Sequence, residues 1–554
     1  MSTVIAGCTS SHYRQSADNE SYEAITDKTP LVSGMTRQVD IDEAASVEFV
    51  DLASYRQNQD SFEFLDTQAD SELDAHVIGL NDALELAFRF SREYQTQKER
   101  LYLEALALTF DRYRYTPTFT STSTGDYQWD ADDQFVMDMQ ELTGMERIST
   151  NESIDAGTTL GSRWLLKGGG VLALTLTNNF TRFLTGDISE TGTSALFASF
   201  AQPLIRDFGT TIETEELMQA ERDLLYQLRD FTRFRKSFAV RIATQYYSVL
   251  LNREITRNNY SGLQAVNLNL EREQAFQAEG LRTLLDVGRL EQQSLQQDLR
   301  WTQSITRYKR SLDNFKILIG LTADDNIILD DNELALISET GMTDPDLELD
   351  QAIELAMQTR LDLYTSLDQV QDSSRKIRVA ANQLQPALDF GVDVAVPGSD
   401  NGNLGELDFE NAVYTAGLSL DLPLDTKFDR NQLRRTMIDY EASTRAYMAD
   451  VDQVKLDVRD AWRRMDQALK SYEINLTSVE INERRVEEAQ LRAELGLGDI
   501  QDTVDSQNDL ILARTELVST IVEHNVAKLE FWRDIGLLYV DDSGRWEEGV
   551  DEPQ

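Results

Sequence analysis

Cysteine, histidine and proline are scarce in this chain. Of 554 residues, one is cysteine, three are histidine (His12, His76, His524) and eight are proline. A lone Cys8 excludes a disulfide within the chain, and three scattered histidines exclude a zinc site built from cysteine and histidine. No uninterrupted apolar run reaches 18 residues, so no transmembrane helix is expected. That lack says nothing of a β-barrel, whose strands leave a weaker trace. Positive charge is short as well: 52 Lys and Arg stand against 97 Asp and Glu, a formal net charge of −45. Such a chain repels phosphate, which argues against nucleic acid as a partner. There is no Gly-rich phosphate loop, no activated nucleophile and no metal triad. The chain is therefore read as no enzyme, with no cofactor and no metal.

What is present is a repeat. "LNDALELAFRFSREY" (80–94) matches "LDQAIELAMQTRLDL" (349–363) at an offset of 269, which Pro117 and Pro386 keep. "FAQPL" (200–204) matches "LDLPL" (420–424) at an offset of 220. Gly280, Asp286 and Gly320 recur as Gly496, Asp502 and Gly536, all at an offset of 216. The fall from 269 to 220 places 49 extra residues between Pro117 and Pro203. Each copy predicts one plan: a helix ended by proline, a β segment, a second proline, a very long helix, a glycine break and a returning helix.

The β segments alternate. In 413–424, Tyr414, Ala416, Leu418, Leu420 and Leu422 share a face, and in 387–396 so do Leu388, Phe390, Val392 and Val394. A half-buried soluble sheet and a lipid-facing barrel strand both fit that pattern. The helices restrict the choice. From Leu424 to Leu495 there is neither proline nor glycine, and Val451, Val454, Val458, Trp462, Met465, Leu469, Tyr472 and Leu476 form a coiled-coil-like seam. Helices over 211–279 and 430–495 would each span roughly 100 Å, too long for a compact globular domain. A plain coiled-coil stalk would lack β segments inserted at the same place in both repeats.

Near the returning helix, "GLGDIQDTVDSQNDL" (496–510) sets Asp499, Asp502, Asp505 and Asp509 within roughly 120° on one helical face. The stretch lacks the central glycine and terminal glutamate of a calcium-binding EF-hand loop. A solvated helix face and a ring of charge around a pore remain as readings, and the phase adds Asp499 and Asp509 to either.

In its repeated "ALELA"/"AIELA" starts (83–87, 352–356), its "QPL" and "LPL" strand ends (202–204, 422–424) and its Gly280/Asp286 and Gly496/Asp502 pairs, the chain resembles the TolC-type outer-membrane efflux protein family. The resemblance covers nearly all of residues 78–540. It implies an α+β membrane protein: long coiled-coil-like helical hairpins, and four strands per chain closing a twelve-stranded barrel in a homotrimer. It implies an outer-membrane exit duct for efflux or type I secretion, its helices in the periplasm. Its partners would be a periplasmic adaptor, an inner-membrane transporter and outer-membrane lipid. Asp502 and Asp505 then look like the aspartates of the constricted entrance, with Asp286 equivalent in the first repeat. Gly280, Gly496 and Gly498 would turn the hairpins at that tip. Some members hold the tip shut with a Tyr and an Arg where this chain has Ala493 and Gly498, so Arg282 becomes the candidate partner for an aspartate. A periplasmic coiled-coil adaptor or structural stalk without a pore is the competing reading.

The organisation expected is an arm over 1–77, a first repeat over 78–345, a second over 346–540 and an acidic tail over 541–554. Within the arm, "VIAGC" resembles a bacterial lipobox that would lipidate Cys8, although only seven residues precede the cysteine, too few for an export signal. Thr9 follows where an Asp would retain a lipoprotein in the inner membrane. The 49-residue insert is expected to lengthen strands or add a hairpin.

Overall fold

Proline-free, heptad-like sequence between the glycine breaks gives two very long helices. In a computed structural model these are α3 (Glu215–Ala278) of 64 residues and α7 (Lys427–Glu494) of 68 residues. The structure describes residues 10–35, 39–41, 52–132, 149–185, 190–281, 283–340, 345, 347–399, 405–495 and 500–548. Six further helices complete the repeat: α1 (Leu80–Phe90), α2 (Arg92–Tyr113) and α4 (Leu284–Leu318) in the first copy, and α5 (Leu349–Thr359), α6 (Leu361–Asn382) and α8 (Ile500–Asp534) in the second. Among the described residues no helix is long and apolar enough to cross a membrane.

The chain folds as two interleaved units. One holds 1–104, 225–367 and 446–554, and the other holds 105–224 and 368–445. In the first unit the repeat is visible atom by atom. Gly320 and Gly536 end α4 and α8 at positive φ (92° and 83°). Each helix is closed by the same pair of bonds, Gly320 N–H to Ile317 and Leu321 N–H to Lys316, then Gly536 N–H to Arg533 and Leu537 N–H to Trp532. A Cβ on Gly320 would lie 2.4 Å from the Phe90 backbone, and one on Gly536 would lie 2.7 Å from Thr359 Oγ1. Phe90 and Thr359 are the last residues of α1 and α5, so each returning helix ends against the short helix that opens its own repeat.

Aromatic packing around Phe88, Tyr94, Phe231, Phe234 and Phe238 supports the first copy, and Trp462, Phe531 and Trp532 support the second. The buried line of α7 is Val454, Val458, Ala461, Met465 and Ala468. The expected seam through Trp462 and Leu469 therefore shifts by one position onto the alanines, which allow a closer backbone approach while the larger residues flank it. Residues of the N-terminal segment pack on these helices. Glu72, almost fully buried, meets Arg253 at 3.2 Å, Lys309 at 2.9 Å and the Tyr308 hydroxyl at 2.9 Å. Phe62 and Phe64 lie against the Arg253 guanidinium, and Asp18 accepts from Tyr102 at 2.6 Å. Cys8 lies outside the described residues.

The second unit carries one antiparallel six-stranded sheet, ordered along the chain: β1 (Thr118–Asp132), β2 (Ser149–Leu165), β3 (Val171–Phe183), β4 (Glu190–Pro203), β5 (Ala387–Pro397) and β6 (Val413–Asp421). Four strands were expected for the barrel, and among the described residues this sheet has six. The extra residues between Pro117 and Pro203 make a further hairpin, so the first repeat supplies four strands and the second supplies two.

Candidate functional site

Two features stand out: the two faces of the sheet, and the carboxylates at the hairpin turns. In the sheet, register joins the alternation of single strands into continuous faces. One row runs Ser121, Leu160, Leu176, Leu196, Val396, and the next runs Phe119, Ser162, Leu174, Ala198, Val394, Tyr414. Leu388, Phe390, Leu418 and Leu420 extend the same face. The opposite face carries Thr120, Thr122, Thr124, Asp155, Arg163, Thr175, Thr177, Ser199, Asp389, Asp393 and Thr415, with Leu165, Val171, Phe183, Phe197 and Val413 as apolar exceptions. Phe119, Leu172, Leu174, Tyr414, Leu418 and Leu420 are exposed in the single chain. A soluble half-buried sheet would have this face covered, so lipid is the surrounding that suits it.

The first hairpin turn is built by two local motifs. Gly280, at φ +78°, ends α3: its own N–H reaches Gln277 and that of Leu281 reaches Phe276, both at 2.9 Å. Nothing lies near the position a Gly280 Cβ would take, so the glycine is required by its conformation alone. Thr283 then caps α4. Its Oγ1 accepts from the Asp286 N–H at 3.3 Å, and the Asp286 carboxylate accepts from Thr283 N–H at 3.2 Å and Thr283 O–H at 2.7 Å. Asp286 thus has a defined structural duty, favoured further by the positive end of the helix dipole. The pattern Thr-x-x-Asp is a readable capping signal that the pore reading passed over. By the offset of 216, Asp499 and Asp502 hold the equivalent positions in the second repeat.

Of the other expected site residues, Asp502 and Asp505 are exposed in the first two turns of α8, with Asp505 accepting from Gln501 at 2.9 Å. Asp509 is paired instead, with Arg485 at 2.8 Å. Arg282, Gly496, Gly498 and Asp499 lie outside the described residues. Behind the carboxylates α4 meets α8 through Leu290 and Val504, followed by a layer of amides. Asn508 accepts from Gln293 at 2.8 Å and from Gln297 at 2.7 Å, and Gln507 accepts from Asn269 of α3 at 3.2 Å. Amides can exchange such bonds for water, so these helices part at lower cost than across an apolar seam. No cluster of His, Cys, Asp and Glu fit for a metal occurs among the described residues.

Leu281, Leu284 and Leu285 were not foreseen. They lie exposed at the first turn, Leu284 with 77% and Leu285 with 65% of their surface open. Three leucines beside a glycine turn are the sequence signal, because a solvated turn has no need of them.

Residues 352–520 match the family model described as outer membrane efflux protein. No curated protein matches. Among solved structures, the Campylobacter jejuni CmeC outer membrane channel is 12% identical, with 93% of this chain and 94% of that one covered and a TM-score of 0.60. The outer-membrane channel OprN is 14% identical, with 92% and 97% covered and a TM-score of 0.58. The open state of the Neisseria gonorrhoeae MtrE outer membrane channel is 14% identical, with 82% and 88% covered and a TM-score of 0.55. The fold is that of a TolC-type outer-membrane channel, helical hairpins joined to a barrel sheet. Within it, residues 352–520 form an outer membrane efflux protein domain.

Proposed function

We propose that this protein is the outer-membrane exit duct of a tripartite efflux or type I secretion system. It would pass substrates from the periplasm or an inner-membrane pump to the exterior without chemistry of its own. The observation that carries the reading is the sheet: over β3 to β6 one face is rich in leucine, valine and phenylalanine and the other in threonine, serine and aspartate, and among the described residues the strands at both ends of the order lack a second neighbour. An open edge in lipid strands backbone N–H and C=O groups, so the sheet must close with further copies. A homotrimer supplies them. A pore-free stalk or adaptor would have no use for an apolar face of this kind.

In this assembly the two repeats, 78–345 and 346–540, supply alternate staves, and the 1–77 arm binds along them, with Cys8 lipidated in the outer membrane. Asp502 and Asp505 from three chains place six carboxylates around the entrance, where they attract cations and repel anions. Asp286 combines helix capping with the same ring, and Asp499 and Arg282 border it. The exposed Leu281, Leu284 and Leu285 form the contact for a periplasmic adaptor.

Planar-bilayer recording of the purified protein tests the reading. Stepwise conductance is expected. Its absence from a folded, trimeric preparation leaves the stalk as the answer.

A further inference from the structure

We infer that the membrane barrel of this protein has eighteen strands, six from each of three chains, closed by pairing β1 of one copy with β6 of the next. The inference rests on the trimeric duct proposed above, and concerns how wide its wall is.

The alternative is that only four strands per chain enter the membrane while the additional hairpin stands apart from the wall. Register argues against this. All six strands are joined edge to edge without a break, and β1 pairs with β2 over its whole length, from Thr118 opposite Arg163 to Asp132 opposite Ser149. The face that is apolar in β3 to β6 runs on across the junction with apolar and polar residues mixed. Leu160 and Ile154 of β2 fall on the same face as Leu172, Leu174 and Leu176 of β3. On β1 that face carries Phe119 at one end and Tyr127 and Trp129 at the other, with Ser121, Ser123 and Gly125 between. Aromatic residues at both ends of a strand are the usual signature of the two membrane interfaces. On the opposite face, Gly157 and Gly161 let the hydroxyls of Thr124 and Thr120 lie where a Cβ would stand 2.8 and 2.6 Å from them. The first pair of strands is thus fitted side chain to side chain on the polar face too.

The slant of the sheet suits a barrel. The row of partners that starts at Thr118, the first residue of β1, passes through Arg163, Ala173, Ser199 and Asp393 to Thr415. Thr415 lies six residues before Asp421, the end of β6. Six residues of drift over five strand steps, at about 3.3 Å and 4.8 Å each, tilt the strands by roughly 40°. Membrane barrels need tilts of about 35–45°. The free edges also match in direction. Neighbours alternate along the order, so β1 and β6 run oppositely, and β6 of one chain meets β1 of the next as an antiparallel pair with both apolar faces outward. Because barrel diameter grows nearly in proportion to strand number, eighteen strands enclose a lumen roughly 1.5 times wider than twelve would.

Electron cryomicroscopy of the full-length trimer in lipid nanodiscs reads the number directly. Eighteen strands in cross-section are expected. A closed barrel of twelve, with β1 and β2 outside it, overturns the inference and leaves the duct intact, whereas a particle with no closed barrel overturns both. Cysteine pairs give an independent measure. Ser121→Cys, Ser123→Cys or Gly125→Cys, each combined with Ala416→Cys or Leu418→Cys, is expected to yield covalent dimers and trimers on oxidation. Should Leu174→Cys or Leu176→Cys of β3 be the partner that links to β6 instead, the wall has twelve strands.

Discussion

At the scale of single residues, two ionic groups behave differently. Arg360, at the C-terminal end of α5, holds Asp362 at 2.6 Å and Asp457 at 2.9 Å, and Arg233 reaches Asp362 at 3.0 Å. Burial opposes the charge on Asp362, but the hydrogen bond from Arg360 and the charges of Arg233 and Arg360 outweigh it and hold the carboxyl below its usual range. For Arg360, burial again opposes the charge, and its two aspartates more than restore it. A carboxyl lowered on folding stabilises the fold fully above its unfolded pKa of about 4, and loses that contribution as pH falls through its lower folded value. Arg360→Met should therefore cost about 2–3 kcal/mol at neutral pH, and the gap from wild type should narrow below about pH 4. Thermal unfolding in detergent across that range measures it. The tip carboxylates carry a functional expectation instead. Asp502→Ala with Asp505→Ala should bring the cation-to-anion permeability ratio toward unity and weaken block by divalent ions. Unchanged reversal potentials in a salt gradient would remove both residues from the ring.

At the scale of elements, the two faces of one strand make a controlled comparison. Leu176 of β3 lies on the apolar face and Thr177 on the polar one. Leu176→Arg puts a guanidinium into hydrocarbon, at a cost of about 2–4 kcal/mol near the membrane midplane, and should reduce the heat-stable trimer recovered from membranes. Thr177→Arg should leave recovery unchanged and lower cation conductance. At the helical turn, Leu284→Ser with Leu285→Ser removes apolar surface without touching the capping pair. Loss of export in cells with normal bilayer conductance is expected, and normal export would remove these leucines from the adaptor contact.

The elements also mark what the sequence disclosed. β5 and β6 were legible because Val, Leu and Phe alternate there with Asp, Ser and Gly, and the long helices because nothing breaks them. β1 was not, since "TFTSTSTGD" (118–126) alternates one hydroxylated residue with another and offers no contrast of polarity. Its strand character comes from the neighbour it pairs with. The seam of α7 holds at Val454, Val458 and Met465 and is off by one at Trp462 and Leu469, because alanine carries little weight in an apolar pattern but much in how closely helices approach. The capping role of Asp286 was readable from Thr283 and was overshadowed by the recurrence of Asp502.

At the scale of the whole molecule, charge dominates. A net −45 per chain makes the assembled duct strongly anionic. Selectivity for cations should be steep at about 0.01 M salt, where the Debye length is about 30 Å, and much reduced at 1 M, where it is about 3 Å. Reversal potentials at the two salt concentrations check this. A selectivity independent of salt would point to direct coordination at the entrance in place of the diffuse field of the chain.

The open edges of the sheet bear on how the protein comes into being. In a lone protomer the sheet would be a ribbon with one greasy side and an open edge at each margin, the geometry that recruits any extended chain nearby. Its time in water must be short or chaperoned. Closure of the proposed trimer needs two further copies at once, so scarcity prolongs the vulnerable interval while abundance shortens it. Slow, dilute expression should accordingly yield more degraded monomer per molecule made than rapid expression, which reverses the ordinary advice for proteins prone to aggregate.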